Sequence, residues 1–262
     1  MTGMLASVAS ADEAEIALDA GADIIDLKDP TRGALGALPA AIIGEAVARV
    51  VGRRTTSATA GDLAMIPSVV DEAVARIGGL GVDIVKVGLF PGGDRHACLD
   101  ALARHAERGM RLVAVMFADR SPDFDLIGRL RDRGFVGAML DTADKRGGGL
   151  RRHLDDRALG EFVRRARACG LMSGLAGSLC LADIAPLLPL APDYLGFRGA
   201  LCAAGRDSRL DPERLRAVRA AIPVEADRQP RAASKASAAA GAHRAAHSRV
   251  RASASTRLAK ST

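Results

Sequence analysis

Long apolar runs are missing from this chain of 262 residues, and none approaches the roughly 18 residues that a membrane-spanning helix needs. The N-terminus, MTGMLASVASADEAE, lacks the basic flank and apolar stretch of a secretory signal, so a cytoplasmic location is expected. Tryptophan is absent and aromatic residues make up 3%, within a composition otherwise ordinary for a soluble protein. Cys98, Cys169, Cys180 and Cys202 are scattered with no C-x-x-C pair, which reads as reduced core thiols. His96, His105 and His153 fit no metal-ligand spacing, so neither a metal nor another cofactor is expected.

Acidic residues run out at one point of the chain. From Ala226 onward there are eight Lys/Arg (Arg228, Arg231, Lys235, Arg244, Arg249, Arg251, Arg257 and Lys260) against one acid, Asp227. The whole chain carries +6, so residues 1–225 are left at −1, and the basic character belongs to an Ala/Ser/Arg-rich segment. Such a segment has little to bury and is expected to form a disordered tail, 226–262, behind a catalytic domain, 1–225. Contact with nucleic acid is expected only weakly and only through that tail.

Within 1–225, helical and strand signals alternate. Strands are expected at 4–8, 23–28, 55–59, 83–88, 111–117, 136–141, 171–177 and 193–198. The first helix opens on a capping box, Ser10 with Glu13, and closes at Gly21. Further helices are expected around 39–50, 67–79, 94–108, 123–133, 156–169, 181–188 and 211–221. Eight strand–helix units in some 220 residues predict a (β/α)8 TIM barrel. A doubly wound open sheet is the rival, but no G-x-G-x-x-G follows the first strand. An internal echo supports the barrel: AGADIIDLKD, GLGVDIVKVG and LAPDYLGFRG each run from a helix end through an aspartate into an apolar strand.

Lysine is the scarcest residue relative to its kind. Of 37 Lys+Arg only five are lysine, and two of those, Lys235 and Lys260, lie in the tail. The other three, Lys28, Lys86 and Lys145, fall in or just beyond strands, where TIM barrels carry their chemistry. A lysine amine, unlike a guanidinium, can shed its proton when desolvated or crowded by another cation, and so can attack a carbonyl or act as a base. Taken singly, each lysine is more simply paired with an acid: Lys28 with Asp26 or Asp29, Lys145 with Asp141 or Asp144. Three on one rim favour catalysis. Asp26 and Lys28, two apart on one strand, point to the same side. The small residues of AGSL (Ala176–Leu179) and FRGA (Phe197–Ala200) make Gly177, Ser178 and Gly199 candidates for seating a phosphate, with Arg198 adding a bidentate grip.

The stretches GADIIDLKDPTRGALGA, TSATAGD, DIVKVGL, MLDTADK and GFRGALC resemble, in order and spacing, the 4-(hydroxymethyl)-2-furancarboxaldehyde-phosphate synthase family, also called (5-formylfuran-3-yl)methyl phosphate synthase. The likeness runs through most of residues 4–222. It implies condensation of two glyceraldehyde 3-phosphate molecules into a phosphorylated furan aldehyde, with loss of phosphate and water, as a precursor of methanofuran-type one-carbon carriers. It further implies Lys28 as Schiff-base former, Lys86 as proton acceptor, and Asp141 with Lys145 as an accompanying pair. Asp26 is then expected beside Lys28 to orient it and shuttle protons. A triose phosphate is the expected partner, and a homo-oligomer the expected assembly. The alternatives are another class I aldolase on sugar phosphates, or a nucleic-acid-binding protein acting through the tail.

Overall fold

The computed structural model describes residues 1–223; the basic tail 226–262 lies outside them. All eight expected strands form, each within two residues of its expected bounds: β1 (Gly3–Val8), β2 (Ile24–Leu27), β3 (Thr55–Thr59), β4 (Ile84–Gly88), β5 (Arg111–Phe117), β6 (Gly137–Asp141), β7 (Met172–Leu175) and β8 (Tyr194–Phe197). They pair in parallel in sequence order and close into a barrel through β8 and β1. The helices are α1 (Ala11–Asp19), α2 (Ala40–Val50), α3 (Pro67–Gly78), α4 (Arg95–Glu107) and α5 (Leu126–Asp132), then α6 (Leu150–His153), α7 (Asp156–Ala168), α8 (Leu181–Leu187) and α9 (Pro212–Ala221). The short α6 and the 3-10 turns at Ala118–Arg120 and Gly199–Leu201 have no counterpart in the sequence expectations, because they are too short to show a periodic apolar face.

Two cores follow from strand alternation. Inside the barrel lie Leu5, Ile84, Val113, Val115, Phe117, Met139 and Tyr194. Outward-facing residues such as Ala6, Ile25, Val85, Ala114 and Leu140 pack beneath the helices. The helix α7 shows the matching logic. Leu159, Phe162, Val163 and Ala166 recur at helical spacing and are buried. Its start is capped by the Asp155 carboxylate, which accepts the Ala158 N–H at 2.8 Å.

The echoed aspartates serve one structural purpose. Asp23, Asp83 and Asp193 each precede an even-numbered strand and accept a backbone N–H of the strand before it. The donors are Met4, Thr56 and Ser173, each at 2.7 Å. Three ladder pairs are thus pinned at the bottom of the barrel, far from the rim. Here an exposed-looking acid is a register device.

The capping box forms only in part. Ser10 accepts the Glu13 N–H at 3.1 Å, but the Glu13 carboxylate bypasses Ser10 and accepts the Ala9 N–H at 2.8 Å. The reason is tertiary. Glu13 is buried and drawn to Arg198, at the far end of the described chain.

Candidate active site

Two carboxylates and three lysines gather where the strands end. Asp26, on β2, is fully buried and accepts hydrogen bonds from Ser7 Oγ (2.9 Å) and Ser57 Oγ (2.7 Å). Its ionic partner is Lys86 of β4, with Nζ to Oδ2 at 2.8 Å. Asp26 does not pair with Lys28, contrary to the sequence expectation. Residues two apart on a strand are separated by roughly 6.6 Å along it. A side chain rising from a neighbouring strand can close that gap, and Lys86 does so. Burial pushes the Asp26 carboxyl upward, but the ammonium groups of Lys86 and Lys28 with the Ser57 hydroxyl outweigh it, and its pKa ends below the ordinary value.

Lys28 stands one step higher. Its nearest carboxylate is Asp141 of β6, at 3.9 Å, too long for a hydrogen bond. Burial lowers its pKa from 10.5 to about 8, with the Lys145 and Lys86 charges adding to the fall and Asp141 opposing it. Lys145 binds Asp141 directly at 2.5 Å. Asp141 also accepts the Thr142 N–H at 2.8 Å. Burial raises the Asp141 pKa, Lys145 and Lys28 draw it down further, and the net shift is downward.

The turn that returns Lys145 to Asp141 is held from outside. Asp119, just past β5, accepts the N–H groups of Ala143 (2.7 Å) and Asp144 (2.8 Å). On the opposite side Asp62 accepts those of Ala34 (2.9 Å) and Leu35 (2.6 Å), pinning the loop after Lys28. Gly33 has φ +106°, and a Cβ there would collide with the Asp62 carboxylate, so only glycine lets the loop settle.

Lys28, Lys86, Asp141, Lys145, Gly177, Ser178, Arg198 and Gly199 line one cavity of about 300 Å3, at the low end for small-molecule sites. The amides of Gly177, Ser178, Gly199 and Ala200 find no acceptor among the described residues. Gly177 (φ +107°) and Ser178 (φ +49°) lie in the left-handed region, and successive amides in such a turn can converge on an anion.

Arg198 does not offer the expected grip. Its guanidinium donates to Glu13 Oε2 (2.5 Å), to Glu13 Oε1 (3.4 Å), and to the carbonyls of Ser7 (3.2 Å), Arg206 (2.8 Å) and Ser208 (2.9 Å). Those bonds use all five of its N–H groups. Arg198 is a strut tying α1, β1 and the 202–210 loop together. Two residues that brace or line the cavity were not assigned to it from the sequence. Glu13 was hidden by its capping motif, and Arg206 sits in a loop with no distinguishing pattern. No group of three His, Cys, Asp or Glu side chains among the described residues could hold a metal.

A closed parallel barrel with buried, mutually close lysines and carboxylates at its C-terminal rim has the form of a barrel enzyme whose active site is that cavity. Solved barrels share the fold at low identity. One is the 3-hexulose-6-phosphate synthase of Salmonella typhimurium (16% identity, TM-score 0.62, 84% of this chain and 98% of that one). Another is the phosphoribosyl anthranilate isomerase of Thermus thermophilus (15%, TM-score 0.61, the same two shares). The chain belongs to the 4-HFC-P synthase family, whose profile matches residues 4–219. It is 36% identical to the (5-formylfuran-3-yl)methyl phosphate synthase of Methanococcus aeolicus, over 77% of this chain and 91% of that protein. A Methylorubrum extorquens protein provisionally given the same name is 47% identical, over 81% of this chain and 88% of its own length.

Proposed function

We propose that this enzyme joins two molecules of glyceraldehyde 3-phosphate into (5-formylfuran-3-yl)methyl phosphate, with release of one phosphate and two waters, through an imine on Lys28. The family membership and the relatives' names support the product. The observation that carries the mechanism is the state of Lys28: a buried amine with a pKa near 8 and no hydrogen-bonded carboxylate to hold its proton. Of the three lysines it alone lacks such a bond.

In this reading the free Lys28 amine adds to the aldehyde carbon of one triose phosphate. The Lys86 ammonium gives its proton to the departing hydroxyl, which leaves as water, and an iminium remains. The iminium acidifies the adjacent C2–H, and the now neutral Lys86 takes that proton back. Asp26 steadies the ammonium form at either end of the exchange. The electron pair left on C2 makes an enamine, able to expel the phosphate from C3 or to attack a second triose. Asp141 and Lys145 stand across the cavity to move protons during ring closure and dehydration, after which water returns Lys28 to the amine. The open amides of Gly177, Ser178, Gly199 and Ala200 seat a phosphate. Consumption of a triose phosphate and production of a carrier precursor fit a cytoplasmic setting.

Incubation of the purified protein with glyceraldehyde 3-phosphate alone tests the reading. The expected result is a furan aldehyde absorbance rising in step with one equivalent of free phosphate per product. A sugar phosphate formed without phosphate release would favour an ordinary class I aldolase instead.

A further inference from the structure

Five cations line the cavity, and four already have a carboxylate within 4.0 Å: Lys86 has Asp26, Lys28 and Lys145 share Asp141, and Arg198 has Glu13. Arg206 is the exception among the described residues. It comes from the loop between Leu201 and Leu210, which is closed by a bridge between Cys202 and Leu210. Its guanidinium makes a single hydrogen bond, from Nη2 to the Gly33 carbonyl at 3.1 Å, and its side chain is partly buried. The remaining N–H groups find no acceptor among the described residues.

The position of this guanidinium is not left to chance. The Arg206 carbonyl accepts the Arg198 Nε–H at 2.8 Å, and the next turn of the loop is fixed by the Arg198 bond to Ser208 O at 2.9 Å. Glu13 neutralises Arg198, so Arg198 offers the cavity no net charge and no free donor. A saturated arginine therefore braces an unsaturated one. Gly199, whose amide is open, lies directly beneath, with the Arg206 Cβ 3.8 Å from where a Cβ on Gly199 would stand.

We propose that Arg206 is the specificity-determining residue that grips the phosphate monoester of the substrate, closing from the side over the Gly177, Ser178, Gly199 and Ala200 amides. This rests on the triose phosphate reading above. Amides alone supply directed partial charge, which any anion or a polar neutral group can use. A guanidinium adds a full, planar charge with several donors and so favours a phosphate over an unphosphorylated aldehyde. The bond to Gly33 O ties the same side chain to the loop that follows Lys28, so the grip also aligns the reacting end with the amine.

The experiment compares wild type with Arg206→Gln and Arg206→Lys. For glyceraldehyde 3-phosphate, Arg206→Gln should raise KM roughly 10- to 100-fold, the range of a lost charge-assisted hydrogen bond or two, with a smaller fall in kcat. Arg206→Lys should fall between the two. Borohydride trapping of unphosphorylated glyceraldehyde on Lys28 should proceed at the same rate in all three proteins. Inorganic phosphate should raise the melting temperature of wild type, and much less that of Arg206→Gln. Wild type that fails to turn over the triose phosphate would overturn the substrate reading, while the phosphate-induced melting shift would still report on Arg206. Wild-type turnover with unchanged KM and an unchanged melting shift in Arg206→Gln would overturn this proposal. So would an equal loss of trapping with the unphosphorylated aldehyde, which would mark a structural role only.

Discussion

The two halves of the barrel mouth solve opposite problems with the same kinds of residue. From β2 to β6 the cations are lysines, crowded with aspartates, and the balance of burial and charge leaves Lys28 near the point of losing its proton. Around β7, β8 and β1 the cations are arginines, which stay charged at every working pH, and the backbone amides are left open. In the proposed function, one half moves protons and the other holds charge still. A barrel can place both within one cavity because neighbouring strands end at the same rim but carry independent loops. On that proposal, the choice between lysine and arginine is a choice between chemistry and grip.

Exchanging the two kinds of cation breaks that comparison most sharply. Lys28→Arg keeps a cation but removes the nucleophile, and turnover should fall on the order of 10⁴-fold or more, as for other lost nucleophiles. Borohydride with substrate should leave a mass adduct on the Lys28 peptide of wild type and none on the variant. Lys86→Arg preserves the charge beside Asp26 but not the removable proton. Its turnover should drop roughly 10²–10⁴-fold, the range for a general acid–base group. Near-normal turnover would reduce Lys86 to a counter-charge.

The bracing half should respond in stability before chemistry. Glu13→Ala strands the buried Arg198 without its counter-charge, and breaking such a pair costs about 3–5 kcal/mol. A denaturant titration should show that loss, whereas Lys86→Arg should cost less folding free energy than activity. A gentler probe is pH. The Lys28 pKa is depressed from 10.5 to about 8, so kcat/KM should rise with pH and level off above about 8. The same shift has a stability consequence. Between about 8 and 10.5 the unfolded chain binds the proton that folded Lys28 has lost, so its contribution to stability should improve as pH climbs through that window. The smallest effect is expected at Asp119. Asp119→Ala removes the acceptor for two amides of the turn carrying Lys145, costing about 1–3 kcal/mol. It should slow turnover more than it alters KM.

Much of the fold could be read without coordinates. Seven of the eight strands announced themselves as short, largely apolar runs, and β3, TTSAT, as a run of β-branched and small residues; alternation with helices leaves a closed parallel barrel as the economical arrangement. The scarcity of lysine drew attention to Lys28, Lys86 and Lys145, and all three line one cavity. What misled was local pattern. Asp26 and Lys28 share a side of one strand, yet their ionic partners come from β4 and β6. Ser10 and Glu13 have the spacing of a capping box, yet the Glu13 carboxylate answers to Arg198, whose residue number is 185 higher. Arg198 stood where a phosphate grip was expected and is consumed by the framework, while Arg206, in a loop of no particular pattern, is left open.

The residues of the chain by themselves determined the order of strands and helices, the bottom-of-barrel aspartates and the set of amines available for chemistry. These depend on periodicity and residue type over a few positions, which any stretch of chain carries with it. Only the closed barrel decided which acid Lys28, Lys86 and Arg198 meet, which arginine keeps its donors, and how far the Lys28 pKa falls. Those outcomes depend on burial and on charges a few ångströms away in space but scores of residues away in sequence. An ionic partner is chosen by distance in a low-dielectric interior, and that distance exists only once β1 and β8 have joined.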